Sequence, residues 1–181
     1  MVTYDLYQGV GVGYHHMKHV AAVGSAGATL LDLVNLLPED KRNLPYHFFA
    51  DNFFSSMKLL DVITGTCYNY TGTLRKDRVK GNPKLTPVHL FKKKPRGYSE
   101  TITLQDKSAT VVRWNDNASV TMVSSLLGNL PERRCSRYNR KAKSYVEVPQ
   151  PDIVNKYNRS MGGVDRFDQN NNHLRTNKDR G

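Results

Sequence analysis

Cysteine is scarce in this 181-residue chain: Cys67 and Cys135 are its only two. Neither sits in a Cys-x-x-Cys pair or at a Cys/His spacing that zinc uses. The pattern predicts no disulfide, no zinc site and a reducing compartment. Long apolar runs are missing as well. The longest, around Leu30–Leu37, is broken by Asp32 and Asn35, so no segment reads as a bilayer-spanning helix. Met1 is followed by Val-Thr-Tyr-Asp, without a basic stretch or an apolar one, which predicts no secretory signal. No internal repeat is visible. What remains is 38% hydrophobic and 24% charged, the balance of a soluble globular domain with one real core, or of a piece of a larger one.

Negative charge is the other shortage, and it is local. Residues 1–70 hold four Lys/Arg against six Asp/Glu, a net of −2; residues 71–181 hold twenty-three against ten, a net of +13. A basic half of that size suits a polyanion, although a well-solvated basic surface explains part of it. The cations cluster at Arg75, Lys76 and Arg78, at Lys92, Lys93, Lys94 and Arg96, and at Arg133, Arg134, Arg137, Arg140, Lys141 and Lys143. In the last group Tyr138 and Tyr145 are interleaved. Phosphate contacts from the cations and stacking on the tyrosines would make these a DNA-binding surface.

The apolar patterning predicts a strand over Val2–Gln8, a helix over roughly 27–37 ending at Pro38, a strand over Pro45–Ala50, a helix over Ser55–Ile63 and a strand over Cys67–Leu74. Three strands, Gly97–Leu104, Ala109–Trp114 and Ser119–Leu126, follow a Pro/Gly-broken basic connection. A helix starts at Pro151–Asn158 and meets Gly162-Gly163. This order predicts a mixed α/β fold. Gly9, Gly11 and Gly13 form GxGxG rather than a full dinucleotide fingerprint. His15 and His19 have the i,i+4 spacing of zinc ligands but no third ligand at a diagnostic distance.

Three carboxylates carry the strongest chemical signal. Asp51 follows the end of a predicted buried strand, where α/β sheets open into functional crevices. It would otherwise cap the following helix, but Ser55 can do that, which favours a site role for Asp51. Asp165 and Asp168 lie three residues apart, so a helix projects both to one side. A helix dipole accounts for Asp165 alone more readily than for both. Aspartate clusters of this kind suit Mg²⁺, which takes one or two carboxylates and keeps waters for a phosphate substrate.

The segments FFADNFFSS (48–56), GTLRKDR (72–78), VVRWNDNASVTMVSS (111–125) and VNKYNRSMGGVDRFDQ (154–169) occur in the order in which piggyBac-type transposases carry similar blocks. YDLYQG (4–9) also resembles a strand of that family. The resemblance covers essentially the whole chain. It implies a partial RNase H-like catalytic core, interrupted by a β-rich insertion between the second and third catalytic aspartates. The sub-regions would be 1–74 (partial core), 75–148 (basic insertion) and 149–175 (catalytic helix). Asp51 would be the second aspartate of a catalytic Asp-Asp-Asp set, Asp165 the third and Asp168 an additional one, all serving as Mg²⁺ ligands.

The family's first aspartate lies upstream of the segment that matches residue 4, and Asp5 matches a position that is not a ligand. The zinc module that often follows in the family has no counterpart here. The resemblance implies Mg²⁺-dependent cleavage and transfer of DNA at TTAA, action in the nucleus and a homodimer. The short basic patch Lys92–Arg96 resembles an import signal. The expectation for this chain is a transposase fragment, incomplete and inactive by itself. The alternatives are a domesticated, non-catalytic DNA-binding protein and a product that does not fold stably.

Overall fold

Aromatic and β-branched residues build one sheet, and its two faces are covered by different partners. The structure, a computed structural model, describes residues 20–75, 85–104 and 108–162. The strand expected over Val2–Gln8, the glycines and histidines of residues 9–19, Lys76, Arg78, Asp165 and Asp168 lie outside the described residues.

Helix α1 spans Val20–Asn35 with a break at Gly24, where φ is +80°. A residue with a Cβ is strained in that backbone, so glycine marks the break. The helix begins earlier than the expected residue 27 and stops before Pro38. Its last carbonyls are closed by the Arg42 guanidinium, which donates to Asn35 O and Leu37 O, each at 2.8 Å. Strand β1 (His47–Ala50), helix α2 (Met57–Thr64) and strand β2 (Asn69–Leu74) follow where the patterning places them. The cap of α2 is Ser56, not Ser55: Ser56 Oγ accepts from Leu59 N at 3.1 Å.

After a single helical turn, α3 (Val88–Phe91), come β3 (Ser99–Thr103), β4 (Thr110–Asn115) and β5 (Ser119–Ser124). They complete a five-stranded sheet of order β1-β2-β5-β4-β3. Strands β1 and β2 are parallel and every other pair is antiparallel. The β-rich stretch after residue 75 therefore continues the sheet that β1 and β2 begin. Strands β6 (Arg133–Asn139) and β7 (Ser144–Gln150) form a separate hairpin, and residues 152–162 form the last described helix, α4.

Side chains alternate across the strands. Ala50, Tyr70, Val111 and Val123 pack on one face against Ala28 and Leu31 of α1 and Leu59, Leu60 and Ile63 of α2. On the other face Phe49, Val112, Trp114 and Met122 meet Val148 of β7 and Ile153 and Val154 of α4. Each fully buried Val, Leu, Ile or Met side chain among them contributes about 1.5–3 kcal/mol. The hairpin is further fastened by the Trp114 indole, which donates to Pro149 O at 2.9 Å.

Candidate functional site

Asp51 ends β1, and its side chain builds the turn that follows. Oδ1 accepts from Phe53 N at 2.9 Å and Phe54 N at 3.4 Å, while the backbone carbonyl accepts from Ser55 N at 3.0 Å. This is the local bonding by which aspartate stops a strand. It also leaves Oδ2 without a hydrogen bond among the described residues. Asp51 is thus the architect of its turn rather than the cap of α2, and it keeps one oxygen open at the carboxyl end of a parallel strand pair.

The turn is anchored to β2 through Ser55, which is fully buried. Its hydroxyl donates to Ala50 O at 3.3 Å and bonds the Tyr70 hydroxyl at 2.6 Å. Ser55 lies over Gly72, where a Cβ would stand 2.1 Å from Ser55 Oγ. Glycine at this place in GTLRKDR is required for that close approach. Arg75, one residue past β2 and exposed, donates from Nε to Asn52 Oδ1 at 3.2 Å, bringing a cation beside the Asp51 turn.

Helix α4, which leads toward Asp165 in the sequence, starts at the end of the sheet where β1 and β2 begin. Asp152 N and Ile153 N donate to Asn129 O and Gly128 O, in the loop after β5. Ser125 Oγ in that loop accepts from Tyr70 N at 3.0 Å. Asp152, buried in the first turn, pairs with Arg133 at 3.2 Å and Lys156 at 3.5 Å. His47 of β1 bonds Thr71 Oγ1 at 2.7 Å and stacks on Phe49. Burial lowers the His47 pKa below its ordinary 6.5, and the charge of Lys156 lowers it further.

The basic residues fall into two sets. Arg96 and Arg137 both pair with Asp116, Arg137 at 3.0 Å, and Arg137 also lies over the Trp114 ring. Burial alone would raise the Asp116 pKa, but the hydrogen bonds and charges of Arg96 and Arg137 outweigh it and hold the carboxyl below its ordinary value. Arg96 and Arg137 bind the hairpin to the turn between β4 and β5, and Arg133 binds it to α4. Lys92, Lys93 and Lys94 are exposed just after α3, with Lys94 Nζ over the Tyr98 ring, and Arg134, Arg140, Lys141 and Lys143 are exposed on the hairpin. The second set is available to a polyanion.

Sequence reasoning missed Asp116 and Asp152 as the acids that hold these arginines. The single acid in the turn Asn115-Asp116-Asn117 carried no signal of its own. It also missed Arg113, which is buried against Glu100 at 3.2 Å and donates to Thr121 and Thr86. Cys135 is partly buried, which raises its thiol pKa, and Cys67 is exposed; both are free thiols. Among the described residues no three His, Cys, Asp or Glu side chains form a metal-holding group, and no helix is long and apolar enough to cross a membrane. Of the three expected metal aspartates the described residues include only Asp51.

The family described as Transposase IS4 matches residues 4–180. The human PiggyBac transposable element-derived protein 3 is 38% identical over 91% of this chain and 26% of its own length. The human PiggyBac transposable element-derived protein 2 is 35% identical over 80% of this chain and 24% of its own length. The chain thus spans about a quarter of these curated relatives. The structure of a piggyBac transposase synaptic complex with hairpin DNA aligns with a TM-score of 0.51 and 23% identity, over 80% of this chain and 27% of that one. That likeness shows a shared RNase H-like fold. With the family matched along nearly its whole length, the chain belongs to the piggyBac-type transposases of the Transposase IS4 family.

Proposed function

We propose that the chain is a portion of a DNA transposase catalytic unit in which Asp51, Asp165 and Asp168 hold a divalent cation, and that these 181 residues alone do not cut DNA. The observation that carries this reading is the Asp51 turn: a carboxylate at the carboxyl end of β1, the edge strand of the described sheet, braced by two backbone amides, with one oxygen open. Asp165, three residues after Gly162 in the sequence, is the further ligand that the family resemblance implies. A bound Mg²⁺ would polarise a phosphodiester oxygen and position the oxygens that enter and leave. The chain's own part is to fix the Asp51 carboxylate, to neutralise phosphates with exposed cations such as Arg75, and to act on DNA in the nucleus, as a homodimer in the family's manner.

The family's first carboxylate has no counterpart among these residues. Loss of one ligand removes several kcal/mol of transition-state stabilisation. With Mg²⁺ and transposon-end DNA, the purified chain should therefore nick at background level. Robust nicking that disappears in Asp51→Ala would overturn the proposed inactivity.

A second reading, a non-catalytic DNA-binding derivative, is favoured by the exposed hairpin cations, which need no carboxylate set. Both readings predict duplex binding that weakens steeply with salt, and a flat salt response contradicts both.

A further inference from the structure

We infer that the tip of the β6–β7 hairpin holds unpaired nucleotides of single-stranded DNA, with a base lying on Tyr145 and a phosphate seated beside Arg140 and Lys141. This rests on the DNA reading above and names the form of DNA that this surface takes.

The register puts Tyr138 directly opposite Tyr145. Their rings meet edge to face with centroids 5.5 Å apart on the outward side of the hairpin, away from Val148 and the core. Cross-strand aromatic pairs do stabilise hairpins. Stability alone does not explain why Tyr145 remains 72% exposed and Tyr138 49% exposed. The pair is flanked by the turn Arg140-Lys141-Ala142-Lys143, three cations in four positions, all exposed.

That turn has a defined shape. Asn139 Oδ1 accepts from Lys141 N at 2.9 Å and Ala142 N at 3.2 Å. Lys143 sits at φ +49°, in the left-handed region that glycine or asparagine occupies at lower cost. A lysine held in such a conformation is the kind of local strain that accompanies a binding site.

Beside the pair is a cleft lined by Arg96, Asn117, Tyr138, Asn139, Arg140 and Lys141. Arg96 is already committed to Asp116, while Arg140 and Lys141 take no part in the ion pairs of the described residues. Tyr138 belongs to both the cleft and the aromatic pair, so a phosphate position and a ring surface adjoin. A stacked duplex keeps its base faces covered, whereas an unpaired base offers a face to an aromatic ring. Exposed rings next to free cations therefore fit a single strand better than a duplex, whose backbone would use the cations alone.

The test compares a labelled oligo-dT with a duplex of equal length, using the 181-residue chain and fluorescence anisotropy. Tyr145→Ala should weaken oligo-dT binding about tenfold, as stacking on one base allows, and leave duplex binding within about twofold of wild type. Tyr145→Phe should restore oligo-dT binding. Tyr145→Trp should at least preserve it and report it through quenched emission, since Trp114 is the only other tryptophan and is buried. Arg140→Ala and Lys141→Ala should weaken both DNAs and flatten the salt slope by about 0.7 each on oligo-dT. The inference is overturned if oligo-dT binding ignores Tyr145, or if Tyr145→Ala affects both DNAs equally. Failure to bind either DNA overturns it together with the DNA reading it rests on.

Discussion

Gly72→Ala should cost the fold about 3–5 kcal/mol, combining forced overpacking with disruption of a buried hydrogen bond. The new methyl group would stand 2.1 Å from Ser55 Oγ and 2.7 Å from the Tyr70 hydroxyl, and neither neighbour can step aside cheaply. Ser55 and Tyr70 are both fully buried, bonded to each other, and held on β2 and on the turn after β1. Moving Ser55 also moves the turn, because its backbone N–H is bonded to Asp51 O. A loss of this size is a large part of a domain's total stability. Urea unfolding followed by circular dichroism measures it directly. Adding Ser55→Ala removes the offending oxygen, so the double variant should lose clearly less than the two single changes summed. A Gly72→Ala chain within about 1 kcal/mol of wild type would mean that the turn is not clamped as described.

The next largest effect is expected at Asp116. Asp116→Asn keeps the shape but removes the charge that Arg96 and Arg137 share. Both arginines are partly exposed, so solvent screening keeps the loss well below that of a fully buried pair, and about 1–2 kcal/mol is expected. Arg96 is the weaker survivor, since its Nη2 is already buried without a partner among the described residues. The pH dependence has a definite sign. The folded-state pKa lies below the ordinary 3.8 despite burial, because the two arginines favour the carboxylate. The stabilisation is therefore complete above 3.8 and is lost as pH falls through the lower folded value. Wild type and Asp116→Asn should differ most near neutral pH and converge in acid. A constant difference across that range would assign the effect to something other than the charge.

The sheet was legible in the sequence because its strands carry the usual marks: Phe48 and Phe49 in β1, and the runs TVVRWN and SVTMVS of β4 and β5. Helix α2 was legible from its apolar spacing, though its cap was displaced by one residue. Ser55 and Ser56 are equally good caps locally, and only the fold shows that Ser55 is consumed by Tyr70 and Gly72. The β6–β7 hairpin was not recognised as strands. Strand β6 reads Arg-Arg-Cys-Ser-Arg-Tyr-Asn, with Cys135 as its one apolar residue on the inner side. The alternation of Val146 and Val148 in β7 was the signal that could have found it. For the same reason, charge counting alone did not separate the structural Arg96, Arg133 and Arg137 from the exposed Arg134, Arg140, Lys141 and Lys143. The separation depends on where two acids, Asp116 and Asp152, fold beneath them. Asp51 does follow the end of β1, as the sequence suggests, but β1 is an edge strand of mostly half-buried residues rather than a buried one, and the part Asp51 plays in building its own turn required the backbone.

The central claim is that Asp51 and the Asp165/Asp168 pair act on one cation. Its most direct test is Mn²⁺ binding to the chain, followed by electron paramagnetic resonance, in wild type, Asp51→Ala and Asp165→Ala. A single site that weakens at least about tenfold in each variant, as loss of one ligand oxygen from a hard-cation site predicts, supports the account. Mn²⁺ binding that is indifferent to Asp51, or to Asp165, would contradict it.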